Sequence, residues 1–290
     1  ALASAQVGSW HRGLPAGGYP AGRAQTLREI ESFGRGSAEA GPKAEAGQRA
    51  EAGIAPHAGW AFSGALASEV VRRLSPDAQT VVVVGGHLGP GEPALAAPEP
   101  AYATPLGDLP ADLELLEALR SRLPIRDDVH FDNTVEIQLP FVRYFFPAAR
   151  ALALRAPPSP GALRLAEALA ESAAGLSRRI VVLGSTDLTH YGSNYGFSPR
   201  GRGAEALRWV SEVNDRRLVD SLLALRLEEA LERGSREHSA CSVGAAACAG
   251  RFAALRGCAA GTLVGYCTSH DVHPAESFVG YAGIIYPGNV

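Results

Sequence analysis

The sequence predicts an α/β fold: a single domain with a central, mainly parallel β-sheet flanked by helices. Three observations carry this. Short β-branched or aliphatic runs alternate with longer stretches of helical period, the pattern of successive strand–helix–strand units. The run Val81–Val84 is four consecutive valines with no polar alternation, as in a strand covered on both faces. No stretch of linker composition divides the 290 residues, a length ample for one sizeable core.

In chain order, strands are expected at 53–55, 80–84, 151–155, 179–183, 262–267 and 281–286. Helices are expected at 65–74, 111–123, 161–176, 204–233 (with a break) and 242–255. Ahead of the first strand, residues 35–53 carry Ala-Glu-Ala-Gly three times, from Ala38, Ala44 and Ala50. A six-residue period fits neither helix nor strand, so this segment reads as a flexible surface loop.

Composition narrows the function classes. The formal charge is −3 with 20% charged residues, so no basic excess is available to hold a nucleic-acid backbone. No apolar run approaches the roughly 18–20 residues of a membrane helix. The N-terminal stretch lacks the basic start and apolar run of a secretory signal. The four cysteines form no CxxC pair, which argues against a zinc ribbon, and a chain of this length needs no disulfide framework. A cytoplasmic location is the expectation, with neither membrane nor nucleic acid as partner.

The chemistry gathers where the strands end. The first expected strand stops at Pro56-His57, the second at "VVVVGGHLGPG", which delivers His87, and the fourth at "IVVLGSTDLTHYG", which delivers Asp187 and His190. Open α/β sheets bind ligands outside the carboxyl ends of their strands. Imidazoles converging there point to a metal or to acid–base chemistry. Gly85 and Gly86 beside His87 let the backbone turn sharply and approach whatever is bound. Cys241 stands at the start of an expected helix, where the dipole favours the metal-ligating thiolate. Cys248 and Cys258 read as small buried hydrophobes and Cys267 as core. His238, three residues before Cys241, reads as lying outside the site.

Glu136 sits among Val135, Ile137, Leu139 and Phe141. A carboxylate in such surroundings needs a partner, such as a histidine or a metal-bound water, and joins Asp187 and His190 as a catalytic candidate. The segment 269–273, with Ser269, His270, Asp271 and His273, is polar enough to line a cleft but has ordinary turn chemistry at His273-Pro274. GxSxG, GxxxxGK[ST], GxGxxG after a strand and HExxH are all missing, which removes support from serine-hydrolase, nucleotide-dependent and zincin readings.

With these residues in view, the sequence resembles the Memo family, whose bacterial and archaeal members are often called AmmeMemoRadiSam system protein B. The resembling segments are "AQVGSW", "IAPHAGWAFSG", "ATPLGDL", "NTVEIQLPF", "STDLTHYG", "SACSVG" and "FVGYAGIIY". The resemblance implies the fold of class III extradiol ring-cleaving dioxygenases, with one redox metal ion, iron(II) or copper, in the cleft. By motif it implies His57, His87 and Cys241 as the lining residues, with Asp187 and His190 beside them. Leu88, Asn133, Ser242 and His11 depart from the family pattern; Leu88 and Asn133 each replace a histidine.

The leading expectation is a metal-dependent redox protein acting on an unknown small-molecule or peptide substrate. One alternative is an active extradiol dioxygenase, although a cysteine in place of the usual carboxylate argues against it. The other is a non-catalytic module that holds a peptide or ligand in the same cleft, although the motifs contain no arginine cluster of the kind that grips phosphate. The resemblance also implies a radical SAM enzyme and an AMMECR1-like protein as partners.

Overall fold

The computed structural model describes residues 18–36, 49–130 and 132–288. The first half runs α1 (Arg23–Gly36), β1 (Ala50–Ala55), α2 (Trp60–Arg72), β2 (Thr80–Gly85), β3 (Ala94–Ala96), β4 (Ala101–Tyr102), β5 (Leu109–Pro110), α3 (Leu113–Arg120), β6 (Ile125–Asp127), α4 (Asn133–Glu136) and α5 (Leu139–Phe145). The second runs β7 (Arg150–Arg155), α6 (Pro160–Gly175), β8 (Ile180–Ser185), β9 (His190–Tyr191), α7 (Ala204–Trp209), α8 (Asp215–Leu223), α9 (Leu227–Arg236), α10 (Val243–Leu255), β10 (Thr262–Thr268), α11 (Ser269–Val272) and β11 (Phe278–Pro287).

One large mixed sheet has the order β10-β11-β1-β8-β2-β7-β3-β6, with β9 paired to β11. Its centre, β1-β8-β2-β7, is parallel throughout. The strands β11 and β10 close one side antiparallel. The period of two divides each strand between two cores. Val82 and Val84 face the side covered by α3, α6, α8, α9 and α10, whereas Val81 and Val83 face the side covered by α1, α2 and α5. Both faces being apolar explains the uninterrupted valines of β2.

The sequence places the six principal strands and differs at their ends. β1 begins at Ala50, inside the stretch expected to be a loop; its small residues fit beneath α2, where a Cβ on Gly53 would lie 2.8 Å from Val70 Cγ1. The rest of the expected loop, 37–48, lies outside the described residues. The helix expected at 204–233 is three helices, α7 and α8 joined by a π-helical turn over Val210–Asn214, and α9 set off by Leu225 at φ 55°. α2 starts five residues earlier than expected, at Trp60, whose ring stacks on Phe141 at 4.2 Å. No helix among the described residues is long and apolar enough to cross a membrane.

Candidate metal centre at the strand ends

Three parallel neighbours each release a functional side chain two residues past their last strand residue: His57 from β1, Asp187 from β8 and His87 from β2. β7 contributes its final residue, Arg155. Cys241 arrives from the other direction, immediately ahead of Ser242, the N-cap of α10. One ligand atom from each of His57, His87 and Cys241 falls within 4.8 Å of the other two.

Each of these side chains is held by its own partners. His57 is buried, with Nε2 3.3 Å from Cys241 Sγ. Its Nδ1 lies 3.2 Å from Ser185 Oγ, and Gln138 Nε2 donates to both Ser185 Oγ (3.1 Å) and Pro56 O (2.8 Å). The His57 N–H donates to Asp187 Oδ1 at 2.7 Å, and Asp187 Oδ2 stands 3.9 Å from His57 Nε2. The ring of His87 lies edge-on to His57, 5.4 Å between centroids. With His87 Nδ1 against Asp132 Oδ2 at 3.2 Å, Nε2 is the nitrogen left for the Cys241 side. Asp132 also accepts from Thr134 N–H and from Arg155 Nη1, and buried Arg155 binds Asp128 through two further bonds.

The electrostatics follow from this enclosure. Burial opposes the His57 imidazolium, but Asp187 and Cys241 outweigh it and raise the pKa to about 9. The Asp132 hydrogen bond, helped by Cys241, raises His87 to about 10. Burial would lift the Cys241 thiol, yet His57 and His87 hold it well below its usual value. Burial also works against the Asp132 carboxylate, and its bonds from His87 and Thr134 still hold it at about 2. Asp187 is pushed up, burial being the largest cause. The two imidazoles and the thiol thus push one another toward their charged forms.

His190 joins the periphery. Its Nδ1 donates to Leu188 O at 3.1 Å, and its ring meets Tyr195 edge-on at 4.9 Å. Glu136 is not one of the three residues whose ligand atoms converge. It is buried at the end of α4, where its charge adds to burial in pushing the Tyr19 hydroxyl up to about 12. Asp271 caps α11 through Thr268 instead of entering the site. Cys248 and Cys258 are buried as expected, while Cys267 is only half-buried. His238, expected outside, lines a pocket together with Cys241.

A Memo-like family model matches residues 15–285. The chain belongs to the Memo-like family. A MEMO1 family protein of Pyrococcus abyssi (strain GE5 / Orsay) is 33% identical over 284 residues, covering 92% of this chain and 95% of that protein. Another of Thermococcus onnurineus (strain NA1) is 30% identical over 287 residues, covering 93% and 97%. A third, of Archaeoglobus fulgidus, is 30% identical over 236 residues, covering 79% and 84%.

Two departures from the Memo pattern now have a place. Asn133 points its amide at His57 O across 3.5 Å, so it meets the His57 backbone. Ser242 donates its N–H to Thr186 Oγ1 at 3.1 Å and brings its hydroxyl within 3.6 Å of Cys241 Sγ. His11 lies outside the described residues.

Sequence reasoning missed the supporting residues Ser185, Gln138, Asp132, Arg155 and Asp128. Gln138 had a usable signal, a polar residue inside the apolar run "EIQLPF" that proves fully buried. Asp132 ahead of "NTVE" reads as an N-cap and is one, its side chain accepting from Thr134 N–H. Its second bond, to His87, spans 45 residues and leaves no local trace. The two glycines at the end of β2 approach protein rather than ligand: a Cβ on Gly85 would collide with Thr134 Oγ1, and one on Gly86 with Ser242 Cβ.

Proposed function

We propose that this Memo-family protein binds one redox-active transition metal, iron(II) or copper, through His57, His87 and Cys241, and uses it in oxygen-linked chemistry. The observation that carries the reading is the convergence of two imidazole nitrogens and a thiolate within 4.8 Å at the carboxyl edge of the parallel sheet. The donor set fits: nitrogen and thiolate ligands suit copper or iron better than magnesium or calcium. Such a metal supplies one-electron exchange and a binding position for oxygen or substrate.

The chain's own residues have separable tasks. Ser185 and Gln138 fix the His57 ring, and the Arg155–Asp132 pair fixes that of His87, the kind of support that keeps ligands oriented. Donation from His190 Nδ1 to Leu188 O commits that ring to one tautomer and leaves Nε2 to accept a proton from a bound substrate. Asp187 spends one oxygen on the His57 backbone and keeps the other beside the imidazole, so it steadies a positive charge there. An extradiol reading is less well supported, because the third donor is Cys241 and not a carboxylate. The radical SAM enzyme and AMMECR1-like protein belong to this proposal as partners, to be sought by co-purification.

Anaerobic titration with copper(I) and iron(II) tests the reading. One equivalent of either metal should bind the parent protein, with affinity lost in a His57→Ala, Cys241→Ser variant. Equal binding to both proteins would remove these residues as ligands.

A further inference from the structure

The pocket that opens onto Cys241 has a volume of about 650 Å³. One wall is formed by Pro90, Pro158, Ser159 and Pro160; the Ser159 N–H donates to Pro157 O and its Oγ accepts from the Gly161 N–H. The other is a stripe of α9, where Glu228, Leu231 and Ser235 fall on one face at a spacing of three and four residues. Seven residues of helix span roughly 10 Å, so the lining runs along α9 from Glu228 in its first turn to Ser235 in its last, with His238 and Cys241 in the segment that follows. Glu232 also lines it, but that carboxylate is paired with Arg236.

His238 lies beside Cys241 in this pocket and is exposed. Its backbone is left-handed, φ 51°, a conformation that L side chains rarely adopt. Among the described residues only four non-glycines have positive φ; one is His87, which belongs to the Cys241 cluster, and another is His238, which shares the pocket lining with Cys241. Neighbouring contacts hold the strained segment in place. The Glu237 N–H donates to Arg233 O at 2.8 Å, Glu237 O accepts from Asn214 Nδ2 at 3.1 Å, and Cys241 N–H donates to Asp187 O at 3.3 Å. The His238 ring packs on Phe197 at 5.1 Å, so its direction is set as well. Strain that the surroundings over-determine is a mark of functional positions.

We propose that His238 is the ligand-contacting residue of this pocket, and that the pocket takes an extended ligand with a carbonyl group at His238 and a cationic amine at Glu228. The inference rests on the proposed function only in taking Cys241 as the end of the pocket where chemistry occurs. The ligand lies along the prolines with its chain, donates to the Glu228 carboxylate, and accepts a hydrogen bond from the His238 ring.

The test uses chelator-treated full-length protein and three thiol reagents: iodoacetamide, its N-hexyl derivative and its N-(6-aminohexyl) derivative, with modification of Cys241 followed by mass spectrometry. In the parent, the aminohexyl reagent should react about tenfold faster than the hexyl one, the effect of one well-formed charged contact. Glu228→Gln should bring the two rates together. His238→Gly should slow all three reagents, which share the acetamide carbonyl, and keep the rate ratio of the two long ones, while the melting temperature stays constant or rises by up to roughly 2 °C because glycine relieves the left-handed backbone. His238→Asn, which also tolerates that backbone, replaces it if the glycine variant folds poorly. Equal rates for the two long reagents in the parent would overturn the proposal. So would parental rates in the His238 variant, or an unchanged preference for the aminohexyl reagent in Glu228→Gln. Metal titration reads the donor set separately, so failure here and failure of the metal reading are distinct results.

Discussion

At the scale of single residues, the protein contains two acids whose proton affinities are moved in opposite directions by their surroundings. Cys241 is enclosed but faces two imidazolium rings, so its thiol gives up its proton readily. Cys248, Cys258 and Cys267 lack that company, and burial pushes their thiols up to about 12, 11 and 11. Brief treatment of the native, metal-free protein with iodoacetamide at pH 7 should therefore label Cys241 alone, as peptide mapping would show; comparable labelling of Cys267 would contradict this. Asp215 is the opposite case. It is fully buried, accepts from Thr189 and Tyr266, and is raised from 3.8 to about 6, burial being the largest cause and His190 opposing it. Because the folded state holds this proton more tightly, its contribution is complete below pH 3.8 and is lost as pH rises through about 6. The loss amounts to about 3 kcal/mol. Urea unfolding of Asp215→Asn should be flatter than that of the parent across this window, and parallel curves would refute the assignment.

At the scale of elements, the site depends on how strand ends meet helix starts. A methyl group on Gly86 would press on Ser242 and displace the start of α10, which carries Cys241. Gly86→Ala is expected to cost about 1–3 kcal/mol of stability by urea unfolding and to weaken metal binding. An unchanged metal affinity would show that α10 yields without moving the thiol. At the end of β7, Arg155→Met removes the guanidinium that binds buried Asp128 and Asp132, leaving Asp132 with His87, a change worth about 3–5 kcal/mol. A loss below about 1 kcal/mol would mean that water reaches the pair.

The same scale explains what was legible in the sequence. β2, β7 and β8 could be read within two residues at either end, because strands buried on both faces are continuous apolar runs. His57, His87 and Asp187 could be read because each follows such a run directly. The short strands β3 to β6 carry two or three residues each and no period to detect. The bonds that orient His57 and His87 join residues 45 to 128 positions apart, so tertiary folding alone creates them. Glu136 was legible as a buried carboxylate because it interrupts an apolar run, and its charge acts on Tyr19, a partner 117 positions away that leaves no local trace.

At the scale of the whole molecule, the sheet order brings distant chain segments to one edge. The sequence separates His57 from Asp187 by 130 residues and from Cys241 by 184, yet β1 and β8 are immediate parallel neighbours and α10 begins above them. The two apolar layers on either side of the sheet hold that edge rigid, while the pocket beside α9 leaves one side of Cys241 open. A metal centre is the reading that uses the converging ligands, their supporting bonds and the adjoining pocket together. The most direct measurement is the metal content of protein purified without an affinity tag, compared with the His57→Ala, Cys241→Ser variant. Near-stoichiometric iron or copper in the parent and none in the variant is the predicted result. The same metal content in both proteins would contradict it.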